Sequence, residues 1–271
     1  MTDLSDVEWG DVVSDQGGVL IAEGMIGDRD VVVKRYRDPE QAREVANYAL
    51  LGRLGVPTLE VVAAGEDWIA LEDVTSSFDW RLATQDDLRD DQVLGLLAGW
   101  YEQLHRAGMG VGELDGLFDE VDVLTPETLA LLAQRRPELA DGLTALAPRL
   151  EQWLAINAEL PSTLVFNDFS WTNLVVGNWR PAAMPIDLGM LGRGNRHRDL
   201  RHVTSQLHPE AARVFLAAYD DRLAARGEQL DPREAEVDEP LAHLVALVST
   251  LGFDQLPVWA EASAEWVRTR A

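Results

Sequence analysis

Up to about residue 73 the chain consists of short β-branched runs set between tight turns, and beyond Val74 its apolar residues recur at helical spacing. Val12-Val13, Val19-Leu20-Ile21-Ala22 and Val31-Val32-Val33 are separated by Ser14-Asp15-Gln16-Gly17-Gly18 and by a Gly27-Asp28 turn. Such spacing predicts three antiparallel strands in a meander. Asp38-Pro39-Glu40 has the marks of a helix start, with Asp as cap, Pro in the first turn and Glu at the positive end. Val45, Tyr48, Ala49, Leu51 and Leu54 continue it, and Gly55-Val56-Pro57 stops it. Leu59 to Ala63 and Trp68 to Leu71 read as two more strands, so the order is βββαββ. The pattern predicts an α+β chain of two parts, 1–73 with an antiparallel sheet and one helix, and 74–271 mostly helical.

Within the second part, Asp91 to Arg106 carries a broad apolar stripe from Val93 to Leu104. Residues 127 to 156 predict one or two helices, interrupted at Pro137 and Pro148. From Leu164 to Gly189 the texture returns to short strands: Leu-Val-Phe, a polar loop, Leu174-Val175-Val176, a Gly177-Asn178 turn and Met184-Pro185-Ile186. Helices are expected again from about Asp199, with an exposed loop somewhere in the charged stretch Ala224 to Glu239.

Composition removes several classes of function. The chain has no cysteine, so disulfides and thiolate metal sites are excluded and a reducing compartment is expected. The start MTDLSDVEWGD lacks the basic and apolar regions of a signal peptide, and the longest near-apolar run, Pro240 to Phe253, is too short to span a bilayer. A soluble, cytoplasmic protein without membrane contact is expected. With 47 acidic against 23 basic residues the net charge is −24, which repels nucleic acid and either favours a cationic small-molecule ligand or serves only solubility or adaptation to salt, the second being the plainer reading. Of the basic residues 22 are arginine; Lys34 is the single lysine. An ammonium is a compact point charge suited to a phosphate oxygen, and a guanidinium does not replace it there.

The stretch that carries chemistry is Phe166-Asn167-Asp168-Phe169-Ser170-Trp171-Thr172-Asn173, followed by Pro185-Ile186-Asp187-Leu188-Gly189. Phosphoryl transfer needs a carboxylate to orient the attacking hydroxyl and hard oxygen ligands for Mg²⁺ on the phosphates. Asp-x₄-Asn on a loop, then Asp-x-Gly at a strand end, supplies these parts in the kinase order. In these motifs the chain resembles the aminoglycoside phosphotransferase family, small-molecule kinases of the two-lobed protein-kinase-like fold.

The resemblance implies a small N-lobe that binds nucleotide and a larger C-lobe that carries catalysis and substrate. It implies Asp168 as catalytic base, Asn173 and Asp187 as Mg²⁺ ligands, and Lys34 on the α- and β-phosphates of ATP or GTP. Glu44 would be the ion-pair partner of Lys34, although Glu40 lies one turn earlier. Ser14 in the Ser14–Gly18 turn is the candidate phosphate-covering residue, since no Gly-x-Gly-x-x-Gly is present. Adenine would meet backbone groups of Glu72, Asp73 and Val74. The run from Asp187 through Gly192 to Asp199-Leu200 matches the family's Asp-x-Gly-x-x-Gly…Asp pattern, with Asp199 as structural support. Phe166-Asn167-Asp168 departs from the usual His-Gly-Asp. The acceptor implied is an aminoglycoside or another amino-bearing antibiotic, with antibiotic resistance as the associated role. Choline-like alcohols, amino sugars, homoserine, peptide antibiotics and a non-catalytic nucleotide-binding pseudokinase stand as alternatives, and the assembly as monomer or homodimer.

Other residues have plainer expectations. Arg193, Arg196, His197, Arg198, Arg201 and His202 form the densest positive patch, expected to pair with acids more than to meet phosphate. His105 is expected to pack at a helix end. Trp171 is expected either to wall the pocket or to pack.

Overall fold

The computed structural model describes residues 4–270; Met1 to Asp3 of the acidic start and Ala271 lie outside the described residues. The first strands are β1 (Glu8–Gln16), β2 (Val19–Ile26) and β3 (Arg29–Tyr36), followed by helix α1 (Arg43–Leu54) and strands β4 (Val61–Ala64) and β5 (Trp68–Glu72). They form one antiparallel sheet in the order β1-β2-β3-β5-β4. The turn between β1 and β2 places Gly17 and Gly18 at φ 58° and 85°, a conformation only glycine takes without strain.

Helix α1 starts later than expected. The Asp38 carboxylate accepts from the Glu40 N–H at 2.9 Å, and its carbonyl accepts from Gln41 and Ala42, so Asp38-Pro39-Glu40 closes a turn rather than opening the helix. Gly55 ends α1 at φ 71°, as expected.

The remainder comprises β6 (Trp80–Leu82), α2 (Asp91–Gly108), α3 (Pro126–Arg135), α4 (Ala140–Glu159), β7 (Thr163–Val165), β8 (Leu174–Gly177), β9 (Ala183–Pro185), β10 (Gly192–Gly194), α5 (Arg196–Ser205), α6 (Pro209–Ala224), α7 (Pro232–Val248) and α8 (Glu261–Arg268). This is the kinase-like arrangement of a sheet-bearing lobe on a helical one. Asp90 caps α2 by accepting from Gln92 and Val93. Pro137 does separate α3 from α4, but Pro148 stays inside α4. It lies on the exposed face, where the carbonyl left without a donor can turn to water. The charged stretch from Ala224 is also mostly helical. Asp231 and Glu234 form a capping box that starts α7, leaving 225–231 as the loop.

One continuous core joins the two parts. Tyr48, Leu51 and Ile69 of the sheet region pack in one cluster with Leu94, Leu97, Tyr101 and Leu104 of α2 and with Phe166, Leu174 and Met184 around the polar loop. A second cluster binds α3, α4, α7 and α8 through Leu132, Leu146, Leu244 and Ala264. Beyond the core, Gly108 lets the end of α2 touch β7, because a Cβ there would stand 2.2 Å from the Leu164 nitrogen. No helix of the described residues is long and apolar enough to cross a membrane.

Candidate active site

Alternation along β3 turns Val31 and Val33 to one face and Lys34 and Tyr36 together to the other, where both reach Glu44 of α1. Lys34 Nζ lies 2.9 and 3.1 Å from the two Glu44 oxygens, and the Tyr36 hydroxyl donates to Glu44 at 2.6 Å. Glu44 is buried in the first turn of α1, while Glu40 is exposed on the preceding turn. Of the two expected partners for Lys34, the structure places Glu44 there. The same ammonium reaches Asp187 Oδ1 at 2.9 Å, across 153 residues of chain. Burial works against the charge on Lys34, but Glu44 and then Asp187 outweigh it and hold the ammonium above its ordinary value.

The short hairpin β8–β9 brings the remaining oxygen donors to the same place. The Ile186 N–H donates to the Asn173 carbonyl at 2.7 Å, which sets Asn173 beside the strand end from which Asp187 projects. Asp187 is left-handed at φ 67°, and its side chain is 45% exposed, so one oxygen holds Lys34 while the carboxylate still opens outward. Behind it the chain is locked to α1: Leu188 N–H donates to Glu44 at 3.1 Å, Asn47 donates to the Leu188 carbonyl at 2.7 Å, and Arg43 donates to the Gly189 carbonyl at 2.6 Å.

Asp168 projects from the loop between β7 and β8, exposed and without a hydrogen bond to any described residue. Desolvation by its surroundings and the nearby charge of Asp187 push its carboxyl above the ordinary value, with His202 pulling the other way. The loop itself is gripped from below. Buried Asp199, in the first turn of α5, accepts the N–H groups of Phe166 (2.8 and 3.0 Å) and Asn167 (2.9 Å). Asn167 is left-handed at φ 66° and donates its side-chain amide to the Met190 carbonyl at 3.0 Å. Asparagine tolerates that conformation better than most residues, which accounts for its standing where glycine is usual. Asn167 and Asp187 are the two positive-φ residues other than glycine among the described residues, and both border this site.

His105 is more than a packing residue. Its Nε2 lies 3.0 Å from Asp199 Oδ2 and its Nδ1 2.7 Å from the Tyr219 hydroxyl. Asp199 accepts, so Nε2 carries the proton, and in the neutral ring Nδ1 accepts from Tyr219. Sequence alone gave no sign of this chain of bonds, since 94 residues separate His105 from Asp199.

Most of the arginine patch is spent on ion pairs, as expected. Arg196 meets Glu234 at 2.6 Å, Arg198 meets Asp119 at 3.0 Å and Glu120 at 3.1 Å, and Arg201 meets Asp238 at 2.6 Å. Glu120 gathers His202, Arg198 and Arg201. Burial alone would raise its carboxyl, and these partners instead bring it down to about 2.

The outer positions are less engaged. Ser14 lies on β1 next to a register shift, opposite Ile21. In the segment Glu72-Asp73-Val74, Glu72 donates its N–H to Glu60 and Asp73 to Asp30, which leaves the Val74 N–H as the donor free of such a bond. Trp171 is half-buried and packs on the main core.

For a divalent cation, Asn173 and Asp187 offer hard oxygen donors side by side, one of them open to solvent. Two protein ligands completed by phosphate oxygens and water suit Mg²⁺, and no cluster of three acid or histidine ligands exists among the described residues to favour a different metal. The donor set fits.

Comparisons with known proteins bear on the family and the fold. The family model described as "Phosphotransferase enzyme family" matches residues 24–238. A macrolide 2′-phosphotransferase from Brachybacterium faecium superposes with a TM-score of 0.57 at 18% identity, covering 99% of this chain and 94% of that one. A choline/ethanolamine kinase family protein from Mesorhizobium loti gives 0.60 at 14% identity, covering 96% and 85%. An aminoglycoside phosphotransferase solved with AMP-PNP and hygromycin B gives 0.65 at 14% identity, covering 98% and 94%. A search of curated proteins finds no match. Those identities show a shared fold, while the family match spans most of the sequence, and the chain therefore belongs to the phosphotransferase enzyme family.

Proposed function

We propose that the protein transfers the γ-phosphoryl group of ATP or GTP to a hydroxyl of a small, amine-bearing molecule, in a reaction that requires Mg²⁺. The observation that carries the reading is the convergence of Lys34, Glu44 and Asp187, from three separate segments, beside the loop that presents Asp168. In this account the lobes divide near residues 73 and 74, and the nucleotide lies between them. The Val74 N–H is the donor for the base, and Ser14 covers the phosphates. Lys34, held in place by Glu44, positions the phosphates and offsets charge that develops on them. Asn173 and Asp187 would hold Mg²⁺, which supplies neutralisation of the phosphate charge when bound. Asp168 accepts a hydrogen bond from the acceptor hydroxyl, orients it toward the γ-phosphorus and takes its proton as the new O–P bond forms and the bond from the γ-phosphorus to the bridging oxygen breaks, releasing nucleoside diphosphate. Asp199, through the Phe166 and Asn167 N–H groups, fixes the loop from which Asp168 acts.

The acceptor class follows from charge and family together. The surface carries −24, which attracts cations. Structural neighbours include phosphotransferases for hygromycin B and spectinomycin and an ethanolamine kinase, all for amine-bearing compounds. Aminoglycosides are the leading acceptors. Asp168→Asn is expected to lower kcat by roughly 10²- to 10⁴-fold with nucleotide affinity kept. Steady-state rates beside calorimetric nucleotide binding check this, and a fully active Asp168→Asn enzyme rules out the assignment.

A further inference from the structure

Two hollows join on the helical part, one charged and one apolar. The first, about 440 Å³, lies between β10, the segment 119–124 and the end of α4; the second, about 520 Å³, opens between α3 and α4. They meet at Leu124 and Leu154, which line both. Buried Leu143 and Leu150 line the apolar hollow with half-buried Leu129 and Ala133, and Ala147 stands exposed beside them. In the wall of the charged hollow is Arg193. Arg196, Arg198 and Arg201 each meet a carboxylate within 3.0 Å. The carboxylate nearest Arg193 is that of Asp119, whose Oδ2 lies 3.6 Å from Nε, too far to accept a hydrogen bond. Asp119 is already held by Arg198 and by the Val121 N–H. Arg193 Nε is therefore buried without a hydrogen-bond partner among the described residues, while the side chain as a whole is 35% exposed. Beside it Asn195 donates to Asn157 Oδ1 at 3.1 Å, which leaves the Asn157 amide nitrogen, like the Ser162 hydroxyl, as a donor with no bond to a described residue.

We propose that the joined hollows are a binding site for a small amphipathic carboxylate, with its apolar tail between α3 and α4 and its head on Arg193. A carboxylate only accepts hydrogen bonds, so it suits a wall whose unspent groups are donors. A guanidinium with free N–H groups takes both of its oxygens at once. Each hollow falls in the size range of small-molecule pockets, roughly 300–1,000 Å³. The acids in the wall do not oppose this. Asp119 is offset by Arg198, and Asp122 is exposed where water and salt screen it. The site is distinct from that of Asp168. Arg193 and Gly194 pair with Leu164 and Thr163 of β7, and the loop 166–169 leaves the other end of that strand, roughly 10 Å along it. The proposal therefore does not depend on the phosphotransfer reading.

The test is calorimetric titration of the full chain with decanoate, beside acetate and decyltrimethylammonium. Decanoate should bind saturably at one site, despite the net charge of −24. Acetate, which has the head without the tail, should bind weaker by at least about 10²-fold. Decyltrimethylammonium, which has the tail with the opposite charge, should not compete with decanoate. Two substitutions address the two ends. Arg193→Gln should weaken decanoate roughly 10- to 100-fold, the loss expected when hydrogen bonds to a charged group are removed. Ala147→Trp, at an exposed position, should obstruct the apolar hollow and weaken decanoate without lowering Tm. No saturable binding of decanoate overturns the proposal. So does binding that is equal in wild type and Arg193→Gln, which would mean an apolar surface with no anion site. Binding of decyltrimethylammonium in place of decanoate also overturns it, because Asp119 and Asp122 would then govern the hollow. Should Arg193→Gln lower Tm, Ala147→Trp decides: unchanged decanoate affinity there places the tail elsewhere and the proposal fails.

Discussion

At Asp168 a carboxylate with a raised pKa has to be ionised to accept a proton, and this fixes the sign of its pH dependence. Desolvation and Asp187 favour the protonated form, so activity is full well above the raised value and falls as pH drops through it. The acid limb of a kcat/KM–pH profile should therefore lie above the ordinary aspartate value, and a limb at or below that value contradicts the electrostatics described. Lys34 has a different constraint. Its side chain is 12% exposed, and Nζ meets three oxygens from two carboxylates within 3.1 Å. A guanidinium is wider and cannot take that point position. Lys34→Arg should cost roughly 10²-fold in turnover while charge is conserved; an unimpaired variant would make the single lysine incidental. The convergence of Lys34 with Glu44 and Asp187 was legible in the sequence because the motif order calls for those residue types together. His105 and Tyr219 were not, because a buried hydrogen-bond chain leaves no local pattern: His105 sits on an apolar helix where packing is the natural reading. The left-handed Asn167 was visible as a departure from His-Gly-Asp, but only its φ of 66° explains it.

Among the elements, α5 organises the site. Its first turn holds the loop that presents Asp168, and its basic side chains dock on Asp119, Glu120, Asp238 and Glu234. Glu120 is the hub, brought from an ordinary 4.5 to about 2. A depressed carboxylate stabilises the fold above its unfolded-state value, and that stability is lost as pH falls through the folded one. Glu120→Gln should thus cost on the order of 2–3 kcal/mol at neutral pH. The gap from wild type should close as pH falls from about 4.5 toward 2; denaturant midpoints across that range measure it, and a pH-independent gap contradicts the mechanism. Helix α2 and the five-stranded sheet were readable from periodicity. The start of α1 was not, because Asp38-Pro39-Glu40 serves a turn as well as it serves a cap. The helix through Pro148 and the early start of α7 escaped for related reasons: tertiary contacts, Arg196 with buried Glu234 among them, outweigh local propensity.

For the molecule as a whole, the continuous core across residue 74 means that the lobes share Tyr48, Leu51, Ile69 and the α2 leucines rather than meeting through a bare linker. The Lys34–Asp187 contact and the bonds from Arg43 and Asn47 to the Leu188-Gly189 backbone tie the sheet to the helical part at the site itself. In the proposed function, nucleotide and acceptor meet where both parts already converge. The strong negative charge adds long-range attraction for a cationic acceptor but does not select one. The family was legible from the spacing of a few residues, whereas the acceptor was not, since pocket shape arises from loops and helices distant in sequence. The decisive measurement is release of nucleoside diphosphate from ATP and GTP in the presence of Mg²⁺, across aminoglycosides, macrolides and small amino alcohols, with Asp168→Ala as control. Acceptor-dependent release that vanishes in Asp168→Ala and on removal of Mg²⁺ is the predicted result. Nucleotide binding without release for any acceptor, or release that persists in Asp168→Ala, would contradict it.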